Sequence, residues 1–206
     1  MKVLETQYLY FFLLLFTISY PLAQTFERRI QLYKKYKPIG YSLISILLIF
    51  IPWDVYFTKK GVWWFYSDYI TGIHIYNLPL EEVLFFVCIP FACIFIYEVL
   101  NYFIKGNLLQ LFARPTLLLI ALTLLIFSVL FHQQLYTFVC FLITGISLII
   151  LILINPEWLS KLLLAYLVSL IPLLLVNGIL TGSLIESPIV NYNPDDIIGY
   201  RILTIP

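Results

Sequence analysis

The stretch Leu135–Ile154, LYTFVCFLITGISLIILILI, contains no charged residue along its twenty positions. A helix rises about 1.5 Å per residue, so twenty residues cross roughly 30 Å, the thickness of a bilayer's hydrocarbon core. Working outward, five further runs of the same kind appear, at Tyr8–Ala23, Ile39–Phe57, Leu80–Ile104, Pro115–Phe131 and Leu159–Leu180. The whole chain of 206 residues is 62% hydrophobic and 11% charged, against about 25% charged in a soluble globular protein. The expected fold is therefore all-α, a polytopic membrane bundle with six spans. No Gly-rich dinucleotide or P-loop signature occurs, which argues against ATP- or NAD-driven chemistry.

Loops supply the orientation. Arg28, Arg29, Lys34, Lys35, Lys37, Lys105, Arg114 and Lys161 fall on one side, and Lys2, Lys59, Lys60 and Arg201 on the other. The basic-rich side is expected in the cytoplasm, with the N-terminus outside and the chain in a bacterial-type inner membrane. Glu5, Asp54, Asp68, Glu81, Glu82, Glu186, Asp195 and Asp196 collect at the outer face, leaving Glu27, Glu98 and Glu157 inside. The first span is short and ends in Pro21-Leu22-Ala23, so a cleaved signal peptide is its rival reading, disfavoured by Glu5 beside Lys2. Net charge is +1, which gives no nucleic acid a reason to bind. Two histidines, His74 and His132, and three cysteines inside apolar runs, Cys88, Cys93 and Cys140, make a metal site or disulfide unexpected and direct attention to the carboxylates.

An internal repeat organises the chain. Gly72–Pro79 (GIHIYNLP) aligns without gaps on Gly199–Pro206 (GYRILTIP), each copy after an outward-running span, a polar residue near its end (Asp54 or Asn177) and a glycine (Gly61 or Gly182). Both copies face the same side, so the duplication is parallel. The expected organisation is a first module over 1–110, a linking fourth span over 111–134 and a second module over 135–206. The second copy lacks the acidic pair and the span that follow Pro79 in the first, which reads as a missing seventh span.

Chemistry is concentrated between Pro52 and Pro90. Three of four tryptophans, Trp53, Trp63 and Trp64, lie there with Phe65, Phe85 and Phe86. An interfacial aromatic belt accounts for any one of them. Glu81 and Glu82 follow Pro79 at a helix start, where carboxylates offset unpaired N–H groups and the helix dipole. Neighbours on a helix point about 100° apart, so one glutamate can cap while the other faces the bundle. A carboxyl at the membrane edge, partly desolvated and near other acids, can stay protonated and act as a Brønsted acid. Asp54 is its like-charged neighbour or orienting group, or else an aspartate snorkelling to water. Glu98 and Asn101 read as interfacial, and Asn177 invites an interhelical hydrogen bond.

Pro52-Trp53-Asp54, Gly61-Val62-Trp63-Trp64-Phe65 and Asn77-Leu78-Pro79-Leu80-Glu81-Glu82-Val83-Leu84-Phe85-Phe86 resemble the signature of the membrane-integral lycopene cyclases, found as heterodimers, fused chains or the cyclase half of fungal bifunctional enzymes. Asn177–Gly182 with Ile205-Pro206 resemble that family's second module. The resemblance implies a cyclase of carotenoid biosynthesis, an intramolecular lyase or isomerase that turns the linear ψ ends of lycopene into β-ionone rings through a carbocation. It implies Glu81, Glu82 and Asp54 as catalytic groups, Trp53, Trp63, Trp64, Phe65, Phe85, Phe86 and Asn177 around the substrate, no cofactor and no metal. The implied partners are a lipophilic C40 carotene, the bilayer, and further copies or other carotenoid enzymes. A small transporter or ion-binding protein with a duplicated acidic site is the alternative.

Overall fold

The computed structural model describes residues 6–206; Lys2 and Glu5, used in the charge count, lie outside the described residues. Among the described residues there are six α-helices: α1 (Leu9–Ala23), α2 (Tyr36–Lys60), α3 (Leu80–Phe103), α4 (Gln110–Leu130), α5 (Leu135–Ile154) and α6 (Leu159–Leu180). With the 3₁₀ turns that extend α1 and α2, each is long and apolar enough to span a membrane. α2 runs past the expected Phe57 through Lys59 and Lys60. Their cations suit the negative C-terminal end of the helix dipole, and Gly61 ends the helix in the left-handed region at φ +73°. Hydropathy cannot register that extension, because the residues that add the last turn are charged.

Exposed side chains are as apolar as buried ones. Phe16 and Leu111 are 79% and 85% exposed, an arrangement only hydrocarbon can cover over six helices. α3 is the central helix, packed against α1, α2 and α6, while α4 lies along α5 and joins the rest through α6. One core unites Leu9, Tyr10 and Leu14 of α1, Cys88 of α3, Val176 and Leu180 of α6, and Tyr69, Ile70 and Ile189 of the loops. A second joins Leu32 and Ile39 to Phe91 and Phe95 near the other end of α3. There Lys35 Nζ meets Glu98 Oε2 at 2.6 Å, and Lys161 Nζ donates to Asn101 Oδ1 at 2.6 Å. Glu98 and Asn101 thus serve interfacial pairing.

The two repeat loops pair with each other. β1 (Trp63–Phe65) runs antiparallel to β4 (Val190–Tyr192), with Trp63 opposite Tyr192, Trp64 opposite Asn191 and Phe65 opposite Val190. The alignment that sets Gly72 on Gly199 also sets Trp63 on Val190 and Phe65 on Tyr192. The strands are therefore counterparts, related by a local two-fold axis at Trp64 and Asn191. The backbone obeys it: Tyr66 N–H donates to Ile189 O at 2.8 Å, and its counterpart Asn193 N–H donates to Val62 O at 2.8 Å. The 3₁₀ turns Ser67–Tyr69 and Pro194–Asp196, the buried Ile70 and Ile197, and the left-handed Gly72 and Gly199 repeat in register. So do the bridges: Ile75 pairs with Leu78 in the hairpin of β2 (His74–Ile75) and β3 (Leu78–Pro79), and Ile202 pairs with Ile205. The repeat thus spans the whole loop, well beyond its eight most similar residues, and both copies lie at one end of the bundle.

Close approach of α4 to α5 depends on Gly145. A Cβ built there would lie 2.8 Å from Leu125 Cγ and 3.2 Å from Ala121 O. Gly145→Val should lower the thermal midpoint of the detergent-solubilised protein, with a cost of roughly 1–3 kcal/mol from overpacking; an unchanged midpoint would refute this account of the α4–α5 contact.

Candidate functional site

Three helices present one face each to a common cavity of about 300 Å³. α2 contributes Phe50, Trp53 and Asp54, α3 contributes Glu82, Phe85 and Phe86, and α5 contributes Tyr136, Cys140, Ile143 and Thr144. The spacings are i, i+3, i+4 on α2 and α3 and i, i+4, i+7, i+8 on α5, each a single helical stripe. Trp63 of β1 and Val190 and Tyr192 of β4 close the end nearest the repeat loops.

The rings form a continuous wall. Phe50 stacks on Phe86 and on Trp53 at centroid distances of 5.8 and 5.9 Å. Phe57 takes Trp53 edge-on at 5.2 Å and Trp63 at 5.0 Å. Trp63 in turn meets Tyr136 at 5.8 Å and Tyr192 at 6.1 Å. Burial, then the neighbouring phenol of Tyr136, pushes the Tyr192 hydroxyl well above the usual tyrosine range, so this wall stays neutral at physiological pH.

Two carboxyl groups break the apolar lining. Asp54 is 1% exposed, which excludes snorkelling to water. Its Oδ1 accepts the Trp63 indole N–H at 2.7 Å and Thr58 Oγ1 at 3.3 Å, while Oδ2 has no hydrogen-bond partner among the described residues. Glu82, half-buried in the first turn of α3, accepts the Tyr10 hydroxyl on Oε2 at 2.6 Å. Each carboxyl is thus held on one oxygen.

Glu81 points elsewhere. It is fully buried, and its Oε1 accepts the backbone N–H of Thr71 at 2.6 Å, which ties the loop back onto α3. Asn77 Nδ2 donates to Val55 O at 3.0 Å, and Leu80 N–H donates to Ile73 O at 2.8 Å, pinning the hairpin beside α2. The 100° between adjacent helical positions thus separates a loop tether, Glu81, from a cavity carboxyl, Glu82.

Of the sequence candidates, the cavity brings together Trp53, Asp54, Trp63, Glu82, Phe85 and Phe86. Trp64 falls outside because strand alternation turns it to the opposite face from Trp63, where it is 46% exposed. Phe65 shares Trp63's face but sits past the cavity, opposite Val190. Asn177 lies elsewhere on α6, where its backbone carbonyl accepts Thr181 Oγ1 at 2.7 Å, and among the described residues its side chain makes no interhelical hydrogen bond. Phe50, Tyr136, Cys140 and Tyr192 were not anticipated, and neither was Tyr10 behind Glu82. The α5 stripe was the available signal, masked by the strong hydrophobicity of that span. Cys140 lines the cavity from the middle of an apolar span. Asp196, from the second copy, accepts the N–H of Leu135 at 3.2 Å at the start of α5. Among the described residues no group of three His, Cys, Asp or Glu side chains is placed to hold a metal.

The site sets two carboxyl groups, Glu82 and Asp54, in a pocket rich in π faces. Such faces attract cations within about 6 Å of a ring centroid, and the scarcity of polar lining groups suits an apolar ligand.

The chain matches the protein family described as lycopene cyclase over residues 7–100 and 133–206. It is similar to proteins named bifunctional lycopene cyclase/phytoene synthase from several fungi. It is 28% identical to that of Podospora anserina over 88 residues, covering 43% of this chain and 14% of the fungal one. It is 30% identical to that of Pyrenophora tritici-repentis over 80 residues (39% and 13%), and 40% identical to that of Aspergillus niger over 45 residues (21% and 8%). The matched region therefore spans about one seventh of the length of the first of these relatives. No solved structure matches the chain.

The tether predicts a local effect. Glu81→Ala should speed hydrogen exchange at the Thr71 amide by about 10-fold or more, given roughly 1.5–3 kcal/mol for a bond to a charged acceptor, whereas Glu81→Gln keeps a carbonyl acceptor and most of the protection. Equal exchange in Glu81→Ala and the parent would refute the tether.

Proposed function

The chain belongs to the lycopene cyclase family, and from that premise we propose that its cavity cyclises the linear ψ end of a C40 carotene to a β-ionone ring by acid catalysis. The observation that carries this reading is the presence of Glu82 and Asp54 together in a pocket walled mostly by aromatic rings. Cyclisation of a polyene has no polar group to grip and no electrons to exchange. It needs a proton, a place for positive charge, and protection from water.

Glu82 supplies the proton. Its O–H bond breaks as a C–H bond forms on the terminal double bond, leaving a tertiary cation. A second double bond attacks that cation, forming the ring's C–C bond and moving the charge into the ring. Loss of a ring proton to the Glu82 carboxylate restores the double bond and the acid, so atoms and electrons balance without a redox cofactor. Abstraction from the carbon that leaves the double bond at the chain-bearing position yields the β ring. Asp54, with two donors already on Oδ1, serves as the fixed anion that faces the developing charge, and Trp53, Trp63, Phe85 and Phe86 offer it their π faces. Enclosure among these rings keeps water from quenching the cation.

Size and position fit the substrate. About 300 Å³ lies at the low end of the roughly 300–1,000 Å³ usual for ligand sites, so the cavity holds one end of a C40 chain and not its length. Phe50 and Ile143, on the facing stripes of α2 and α5, are 37% and 44% exposed, which supports a lateral entry from lipid. The two ends of the carotene would then be processed in turn. A transporter with duplicated acidic sites has less support, since Val190 stands where Trp63 does in the first copy and Asp196 is bonded at the start of α5.

The test is pigment analysis of lycopene-accumulating cells expressing the full-length protein. The parent should convert lycopene to a cyclic carotene, while Glu82→Gln and Asp54→Asn should leave it linear, with losses of roughly 100-fold or more. Unchanged lycopene with the parent protein present in the membrane would overturn the cyclase reading, and a normal cyclic product from Glu82→Gln would overturn the acid assignment.

A further inference from the structure

We propose that Tyr10 is a positioning residue that decides which oxygen of Glu82 delivers the proton. This rests on the reading of Glu82 as the acid, and it adds a helix, α1, that contributes nothing to the cavity wall.

Tyr10 is the second residue of α1 and is 1% exposed. It belongs to the core that includes Leu14, Tyr69, Ile70 and Cys88, behind the cavity, and does not line it. Its hydroxyl donates to Glu82 Oε2 at 2.6 Å, a bond between helices 72 positions apart in sequence. A phenol has one proton. While that proton is given to Oε2, this oxygen acts as an acceptor, so in the neutral carboxyl the acidic hydrogen resides on Oε1. The bond also restrains the rotation that would exchange the two oxygens, because Tyr10 is itself locked by packing.

The same bond changes strength during the reaction. As the O–H bond at Oε1 breaks and the C–H bond forms, negative charge spreads over both oxygens of Glu82. The Tyr10 bond then becomes charge-assisted, and such bonds are roughly twice as strong as neutral ones. An interaction stronger in the transition state than in the ground state raises kcat and leaves binding nearly unchanged. When the ring proton leaves, Oε2 is still occupied, so the proton returns to Oε1 and the acid is reset in its starting form.

The duplicated architecture sharpens the assignment. Tyr136 is the second residue of α5, as Tyr10 is of α1. Tyr136 lines the cavity and packs against Tyr192 at 5.1 Å. Tyrosines at like positions in two helices thus serve differently, one as wall and one as support for the acid. A buried tyrosine needs some partner for its hydroxyl, so a purely structural bond must be distinguished from a positioning one.

Steady-state kinetics of the full-length enzyme in lipid, with lycopene as substrate, make that distinction. Tyr10→Phe should lower kcat roughly 10- to 100-fold, as expected for a lost bond to a charged group, while KM moves by less than about 3-fold. Replacing Tyr10 with 3-fluorotyrosine or 3,5-difluorotyrosine nearly preserves its shape and grades the acidity of the phenol. kcat should then vary in step with that acidity, which a structural role would not produce. With active parent enzyme and inactive Glu82→Gln, a Tyr10→Phe kcat within about 2-fold of the parent overturns the proposal and leaves the cyclase reading standing. An inactive parent, or a fully active Glu82→Gln, instead overturns the reading on which it rests. Should Tyr10→Phe fail to accumulate, the fluorotyrosine series decides, and a flat kcat across it overturns the proposal.

Discussion

The indole N–H of Trp63, bonded to Asp54 at 2.7 Å, ties the loop after α2 back onto that helix at the cavity. Hydrocarbon offers no hydrogen bonds, so a carboxyl near the end of a membrane helix must find its partners inside the protein. Asp54 finds one in a strand of the following loop, and that choice brings β1 down onto α2. Once Trp63 is there, its ring meets Phe57, Tyr136 and Tyr192, and three segments distant in sequence become one wall. The requirement to satisfy a buried acid thus builds an aromatic pocket around it.

The other two acids obey the same requirement with different outcomes. Glu81 is satisfied by a backbone N–H and therefore holds a loop; Glu82 is satisfied by a phenol on another helix and remains at the cavity. Their divergence needs no difference in residue type, only the angle between successive helical positions. The four bonds to Asp54, Glu81 and Glu82 connect α1, α2, α3 and the first repeat loop, so the pocket and that end of the bundle are stabilised together.

Duplication explains where the second half of the site comes from. The two repeat loops carry the same turns, bridges and left-handed glycines, and they associate through their own counterpart strands about a local two-fold axis. The axis relates backbones and not chemistry, because Val190 stands in the place of Trp63. The first copy supplies the acids and most of the π faces, and the second supplies Tyr136, Cys140 and Tyr192 as the opposing wall. The result is a composite cavity lined from both copies.

Much of this was legible in the chain itself. Continuous apolar runs of bilayer length leave only a helical bundle, since no other open structure satisfies its backbone in lipid, and the same scarcity of polar groups made Asp54 and Glu82 conspicuous. Trp53, Trp63, Phe85 and Phe86 were readable because they cluster around those acids in sequence. Tyr136 and Tyr192, which line the cavity, and Tyr10, which stands behind Glu82, were not, because they come from segments far away in the chain, and an aromatic in an apolar span looks the same whether it faces lipid, core or site. Sequence determined the solvent, the spans, the repeat and the residue types able to carry acid chemistry, all of which follow from local composition and spacing. Tertiary structure alone decided which glutamate faces the cavity, which tryptophan turns away and which tyrosine stands behind the acid, because those are matters of rotation about helices and strands, fixed only when distant segments pack.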